Sequence, residues 1–159
     1  MVVIGQAFKM KKYHLNKKEI LYWVNKARRY LKLPKIKINI IKLLYPEAFV
    51  DGGVSFSPEL ERINFVQPIN DLIVERIDGG FAEIGYSKEW LIFALFHEMA
   101  HYFQWYYYPK WVGLFYTSEK YYNFNGKHCD KKLEKNADKI AIILFNRLYK
   151  NKEQTCPNT

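Results

Sequence analysis

The chain holds two cysteines, Cys129 and Cys156, too far apart to form a C-x-x-C pair. A multi-disulfide secreted scaffold is excluded, and the simplest expectation is two reduced thiols in a cytoplasmic protein. No apolar run approaches the roughly 20 residues that a membrane helix needs, so no membrane partner is expected. Only Val2-Val3-Ile4 precedes Gly5 at the start, too little for the apolar region of a signal peptide. There is no internal repeat, no low-complexity segment, and nothing resembling a helix-turn-helix or zinc-finger reader. Acids are scarce at the front: residues 1–42 carry twelve Lys and Arg against Glu19 alone, within an overall charge of +9. At 159 residues the chain reads as one domain over 1–150 with a polar, disordered tail over 151–159.

Histidine is scarce as well, with four in all, yet two of them stand four apart in His97-Glu98-Met99-Ala100-His101. On a helix, residues at that spacing share a face one turn apart. Two imidazoles so placed can grip one metal ion, and H-E-x-x-H is the zinc motif with a general base built in. At 3.6 residues per turn, Glu98 lies about 100° round the helix from His97 and about 60° from His101. Its carboxylate then stands beside the metal, where a bound water would sit. The preceding Trp90-Leu91-Ile92-Phe93-Ala94-Leu95-Phe96 is apolar on every side, which marks a buried helix. Polar groups at the end of such a helix are costly unless satisfied. Metal ligation satisfies them; the bland alternative is a buried cluster with ordinary hydrogen bonds. Ser87 as N-cap, Glu89 in the first turn, a Tyr86–Leu91 staple and Pro109 beyond the end predict a helix stopping near Tyr106.

A tetrahedral site wants a third protein ligand and an open position. Leu133, Ala137, Ile140, Ala141, Leu144 and Leu148 recur at helical spacing. Glu134 and Asp138 sit at the edge of that stripe rather than opposite it. They read as site acids, against the alternative of two solvated acids among lysines. Ala137 would let two helices approach closely at the metal. His128, six residues before Glu134, is an alternative ligand or an oxyanion donor, and otherwise a loop residue.

H-E-x-x-H followed by E-x-x-A-D resembles the gluzincin branch of the zincin metallopeptidases, and the short layout is similar to the ImmA/IrrE-like peptidases and the minigluzincins. The resemblance implies one Zn2+ ion held by His97, His101 and Glu134, Glu98 as general base, and Asp138 bracing a ligand histidine. It implies hydrolysis of a protein or peptide substrate by a metal-activated water. The metzincin pattern is absent, since Gln104 and Tyr107 stand where Gly and His would be needed.

Elsewhere the pattern predicts an amphipathic helix over 17–32 with an Asn16–Glu19 capping box. Ile36, Ile38 and Ile40 alternate as a strand, and 54–57 and 63–66 read as two more. Residues 70–77 mildly favour a short helix. The fold class is therefore α+β: N-terminal helix, small three-stranded sheet, motif helix, long aromatic loop, C-terminal ligand helix. Val54 to Ser57 is the candidate free edge to which an extended peptide could add. Ten aromatics between Trp105 and Phe124 read as a clamp over the sheet or as a pocket wall, with Gly113 and Gly126 as hinges. Three functions remain in view. One is a zinc peptidase. The second is a zinc-bearing but catalytically silent interaction module. The third is a nucleic-acid-associated protease tethered by basic residues 1–42, against which a merely solvated lysine face must be weighed.

Overall fold

A computed structural model describes residues 12–42, 53–67, 69–70, 88–116 and 131–151. The expectations for Ser87, Tyr86, Gly126, His128, both cysteines and all but the first residue of the tail lie outside these residues, as does the short helix expected over 70–77 beyond Asn70, which is in a strand. The described chain is α+β, as its periodicities predict. Helix α1, Lys17–Tyr30, begins at Asn16 with both halves of the capping box formed. It buries Ile20, Trp23, Val24 and Ala27, the stripe that a 3.6-residue period selects.

The stop of α1 is less legible. Lys32 takes a left-handed φ of 55°. Leu33 N then donates to Arg28 O at 2.9 Å and Lys32 N to Arg29 O at 3.2 Å. This is a Schellman termination, which usually employs glycine at that position. Tyr107 Oη donates to Lys32 O at 2.7 Å, so the far end of the motif helix secures the turn.

The sheet contains β2, Lys37–Lys42, β3, Gly53–Ser57, and β4, Arg62–Gln67, in the order β2-β4-β3. β4 runs parallel to β2 and antiparallel to β3. A separate two-stranded pairing joins β1, Lys12–Tyr13, to β5, Ile69–Asn70. Alternation along β4 sends Ile63 and Phe65 into the core, both with no exposed area. On the opposite face Asn39 Nδ2 donates to Asn64 Oδ1 across the β2–β4 pair at 3.2 Å. Among the described residues β3 has a neighbour on one side only, so the strand expected at the edge is an edge strand there.

Helix α2, Lys88–Tyr107, is the hub, packing against α1, β3 and both later helices. All seven residues from Trp90 to Phe96 are buried. Each large apolar side chain so buried stabilises the fold by roughly 1.5–3 kcal/mol. That reserve offsets the cost of carrying His97 and Gln104 into the same interior. Lys88 at its start pairs with Glu19 of the α1 capping box.

The aromatic stretch after α2 differs from the loop that was expected. Pro109–Tyr116 forms helix α3. Pro109 stands at its first position, where the missing N–H costs nothing and the fixed φ suits a helix. Tyr108 N still donates to Gln104 O, and Val112 N to Tyr108 O, so one helix hands over to the next. Gly113 lies inside α3 rather than between elements, which removes it as a hinge. Helix α4, Lys131–Leu144, follows and passes into a π-helix, Phe145–Lys150. Among the described residues no helix is long and apolar enough to cross a membrane.

Ala137 and Ala141 have no exposed area and share the stripe of α4 that holds Glu134 and Asp138. Overpacking that stripe must push α4 away from α2. Ala137→Leu is expected to lower stability by about 1–3 kcal/mol in chemical denaturation. Lys139→Leu on the exposed side should stay within about 0.5 kcal/mol of wild type. Equal effects of the two would show that the crossing is not close-packed.

Candidate metal centre

One turn of α2 sets the His97 and His101 rings 4.6 Å apart at 80° to one another. Their Nε2 atoms lie 3.0 Å apart. α4 delivers Glu134, whose Oε2 is 3.0 Å from His97 Nε2 and 3.3 Å from His101 Nε2. A tetrahedral zinc with bonds of about 2.0–2.1 Å has its ligand atoms about 3.3–3.4 Å apart. The observed triangle is one face of such a tetrahedron, drawn in slightly. These three residues form the one group of metal-ligating side chains found among the described residues.

The outer nitrogens decide what the inner ones offer. His97 Nδ1 lies 2.9 Å from Asp138 Oδ1. A carboxylate there accepts, so Nδ1 carries the proton. His101 Nδ1 lies 2.9 Å from Gln104 Oε1. The Gln104 amide nitrogen faces Leu133 O at 3.0 Å and Asn136 Oδ1 at 2.9 Å. A backbone carbonyl can only accept, which fixes the amide orientation and makes His101 Nδ1 a donor as well. With both rings neutral, each Nε2 presents a lone pair to the same point as the Glu134 carboxylate. Three converging lone pairs in a mostly buried place fit a divalent cation, and imidazole with carboxylate is a zinc-type donor set.

Without a metal, protons must take its place. Burial opposes charge on His97, but the hydrogen bonds that its ring donates to Asp138 and Glu134 outweigh it and raise the pKa to about 10. His101 is also raised: burial works against the charge, and Glu134 and Glu98 overcome it. Burial would raise Glu134, yet its bonds to His101 and His97 hold it well below the carboxylate range. The rings are nearly enclosed, with 11% side-chain exposure, while Glu134 keeps 28% and Asp138 31%. The acids are thus less enclosed than the rings they meet.

Glu98 stands outside the triangle. Its Oε2 accepts from Phe56 N of β3 at 2.7 Å. A strand N–H lies in the plane of the sheet, and β4 occupies the other side of β3. Phe56 therefore turns its N–H away from β4, and the acid is moored to that side of β3. The Phe56 ring sits 5.5 Å from that of Tyr102, which packs the edge onto α2.

The structure brings His97, His101, Glu134 and Asp138 together, with Glu98 alongside. Gln104 and Phe56 enter the site unforeseen. Gln104 had a signal: it follows His101 by three residues on one helix face, polar within an aromatic run. Phe56 contributes through its backbone, which leaves no mark in side-chain pattern. No family model, curated protein or solved structure matches the chain.

Metal uptake has to displace the proton that His97 holds up to about pH 10. Apparent zinc affinity is expected to weaken as pH falls from 8 to 6, by about tenfold per unit for each proton displaced. Chelator competition across that range measures it. An affinity independent of pH would mean that the imidazoles are not the ligands.

Proposed function

We propose that this chain is a zinc-dependent peptidase of the gluzincin type, with His97, His101 and Glu134 as ligands and Glu98 as general base. The observation that carries this reading is the pair of acid roles. One carboxylate, Glu134, completes the triangle of lone pairs, while a second, Glu98, is held beside it and kept off it by the Phe56 N–H. When bound, zinc lowers the pKa of a coordinated water from 15.7 to about 7 and polarises a carbonyl oxygen. Glu98 takes the proton from the attacking water and later gives it to the leaving amide nitrogen. One bond of the peptide breaks, and water supplies the OH and H of the two products. Asp138 holds the His97 ring in the tautomer that leaves Nε2 free. The outer edge of β3, where Phe56 meets Glu98, is the place where an extended peptide would lie.

A silent zinc module fits less well. A structural zinc closes its shell with a fourth protein ligand, and the group here has three among the described residues. Such a site would have no use for Glu98. Nucleic-acid contact is a separate, additional reading favoured by one surface. Lys18, Tyr22 and Arg29 are exposed and share one face of α1 at helical spacing, and exposed Lys32, Lys35 and Lys37 follow in the chain. Basic side chains with interleaved aromatic rings suit a single-stranded backbone and its bases.

Glu98→Gln should keep one zinc per chain and lower hydrolysis of an unfolded protein substrate by about 100–10,000-fold. Wild-type cleavage by that variant would rule out the mechanism. For the α1 surface, binding of labelled single-stranded DNA should weaken steeply between 50 and 200 mM salt. Absent or salt-independent binding would leave those lysines as a solvated face.

A further inference from the structure

Gln104 is 1% exposed, and all of its polar atoms are engaged. Its carbonyl oxygen accepts from His101 Nδ1, and its amide donates to Leu133 O and to Asn136 Oδ1. Leu133 and Asn136 stand on either side of Glu134 in the chain. A single side chain thus touches one imidazole on α2 and grips the turn of α4 that carries the acid of the triangle. Packing alone would be served by methionine at lower desolvation cost, since a buried amide must satisfy both of its ends.

We propose that Gln104 is the positioning residue of the metal centre. It holds His101 in the Nδ1–H tautomer, and it sets the height of Glu134 against the two rings. This deepens the metal-site reading above and rests on it. The two histidines are braced by unlike groups. Asp138 is an anion, 31% exposed, and its carboxylate has nothing to donate. The brace on His101 must accept on one side and donate on the other. A carboxylate at 104 could accept from His101 but would then face the Leu133 carbonyl with like polarity. An amide of glutamine length does both, which accounts for a neutral brace on one ring and a charged brace on the other.

The test uses the full chain loaded with zinc and two readouts besides activity. One is zinc affinity by chelator competition; the other is the slowly exchanging imidazole N–H signals in proton NMR. Gln104→Met is expected to lower affinity by about 10–100-fold and to remove the His101 Nδ1–H signal while leaving that of His97. Gln104→Glu should restore the His101 signal without restoring full affinity, because the grip on Leu133 is still missing. Asp138→Asn should disturb the His97 signal and spare that of His101. If Gln104→Met folds too poorly to load, Asn136→Ala decides, since Asn136 is exposed and its side-chain oxygen accepts from Gln104. A severalfold loss of affinity there supports the grip, and wild-type affinity overturns it. Wild-type affinity and an unchanged His101 signal in Gln104→Met overturn the proposal alone. A wild-type chain that takes up no zinc overturns the metal reading and this proposal together.

Discussion

Three electron-rich atoms are held within 3.3 Å of one another where α2 crosses α4. Two imidazole nitrogens and a carboxylate oxygen repel at that distance unless a cation sits among them. Protons on the rings can serve, and a divalent metal serves better, because it meets all three lone pairs at once. Much of the surrounding structure maintains this convergence. The buried run from Trp90 to Phe96 anchors α2, and small residues at 137 and 141 let α4 come close. Asp138 and Gln104 turn the rings.

The same arrangement separates two kinds of acid. Glu134 sits on the triangle and is held ionised by the rings it meets. Glu98 is one residue from His97, yet its carboxylate goes to the sheet edge and meets a backbone N–H. A helix alone places it near the triangle; the strand N–H holds it beside the triangle rather than on it. Helix periodicity and strand position therefore combine to keep this acid out of the ligand group. The sheet is small, but its strand β3 sets where this carboxylate stands.

Legibility in the sequence followed the range of the interactions. The capping box at Asn16 and Glu19, the Ile36–Ile40 alternation and the apolar run before His97 are local patterns, and each marks its element. Glu134 and Asp138 were readable because two acids lay at the edge of an apolar stripe. The stop of α1 is legible only to within two residues, 32 against the observed Tyr30, because lysine holds the left-handed position that glycine usually marks, with Tyr107 supporting it from 75 residues away. Helix α3 does not stand out in the pattern because Pro109 signals the end of one helix, while it also serves as the first residue of the next. The β1–β5 pairing is two residues long on each side, too short to leave a period. Gln104 is hard to read because two of its three partners lie on another helix, and Phe56 because it acts through its N–H.

X-ray absorption at the zinc edge of the full, zinc-loaded chain tests the converging triangle most directly. One zinc per chain is expected, with only nitrogen and oxygen neighbours at about 2.0–2.2 Å and the scattering signature of two imidazoles. Failure to take up stoichiometric zinc, or a sulfur neighbour at about 2.3 Å that would bring Cys129 or Cys156 into the shell, would contradict it.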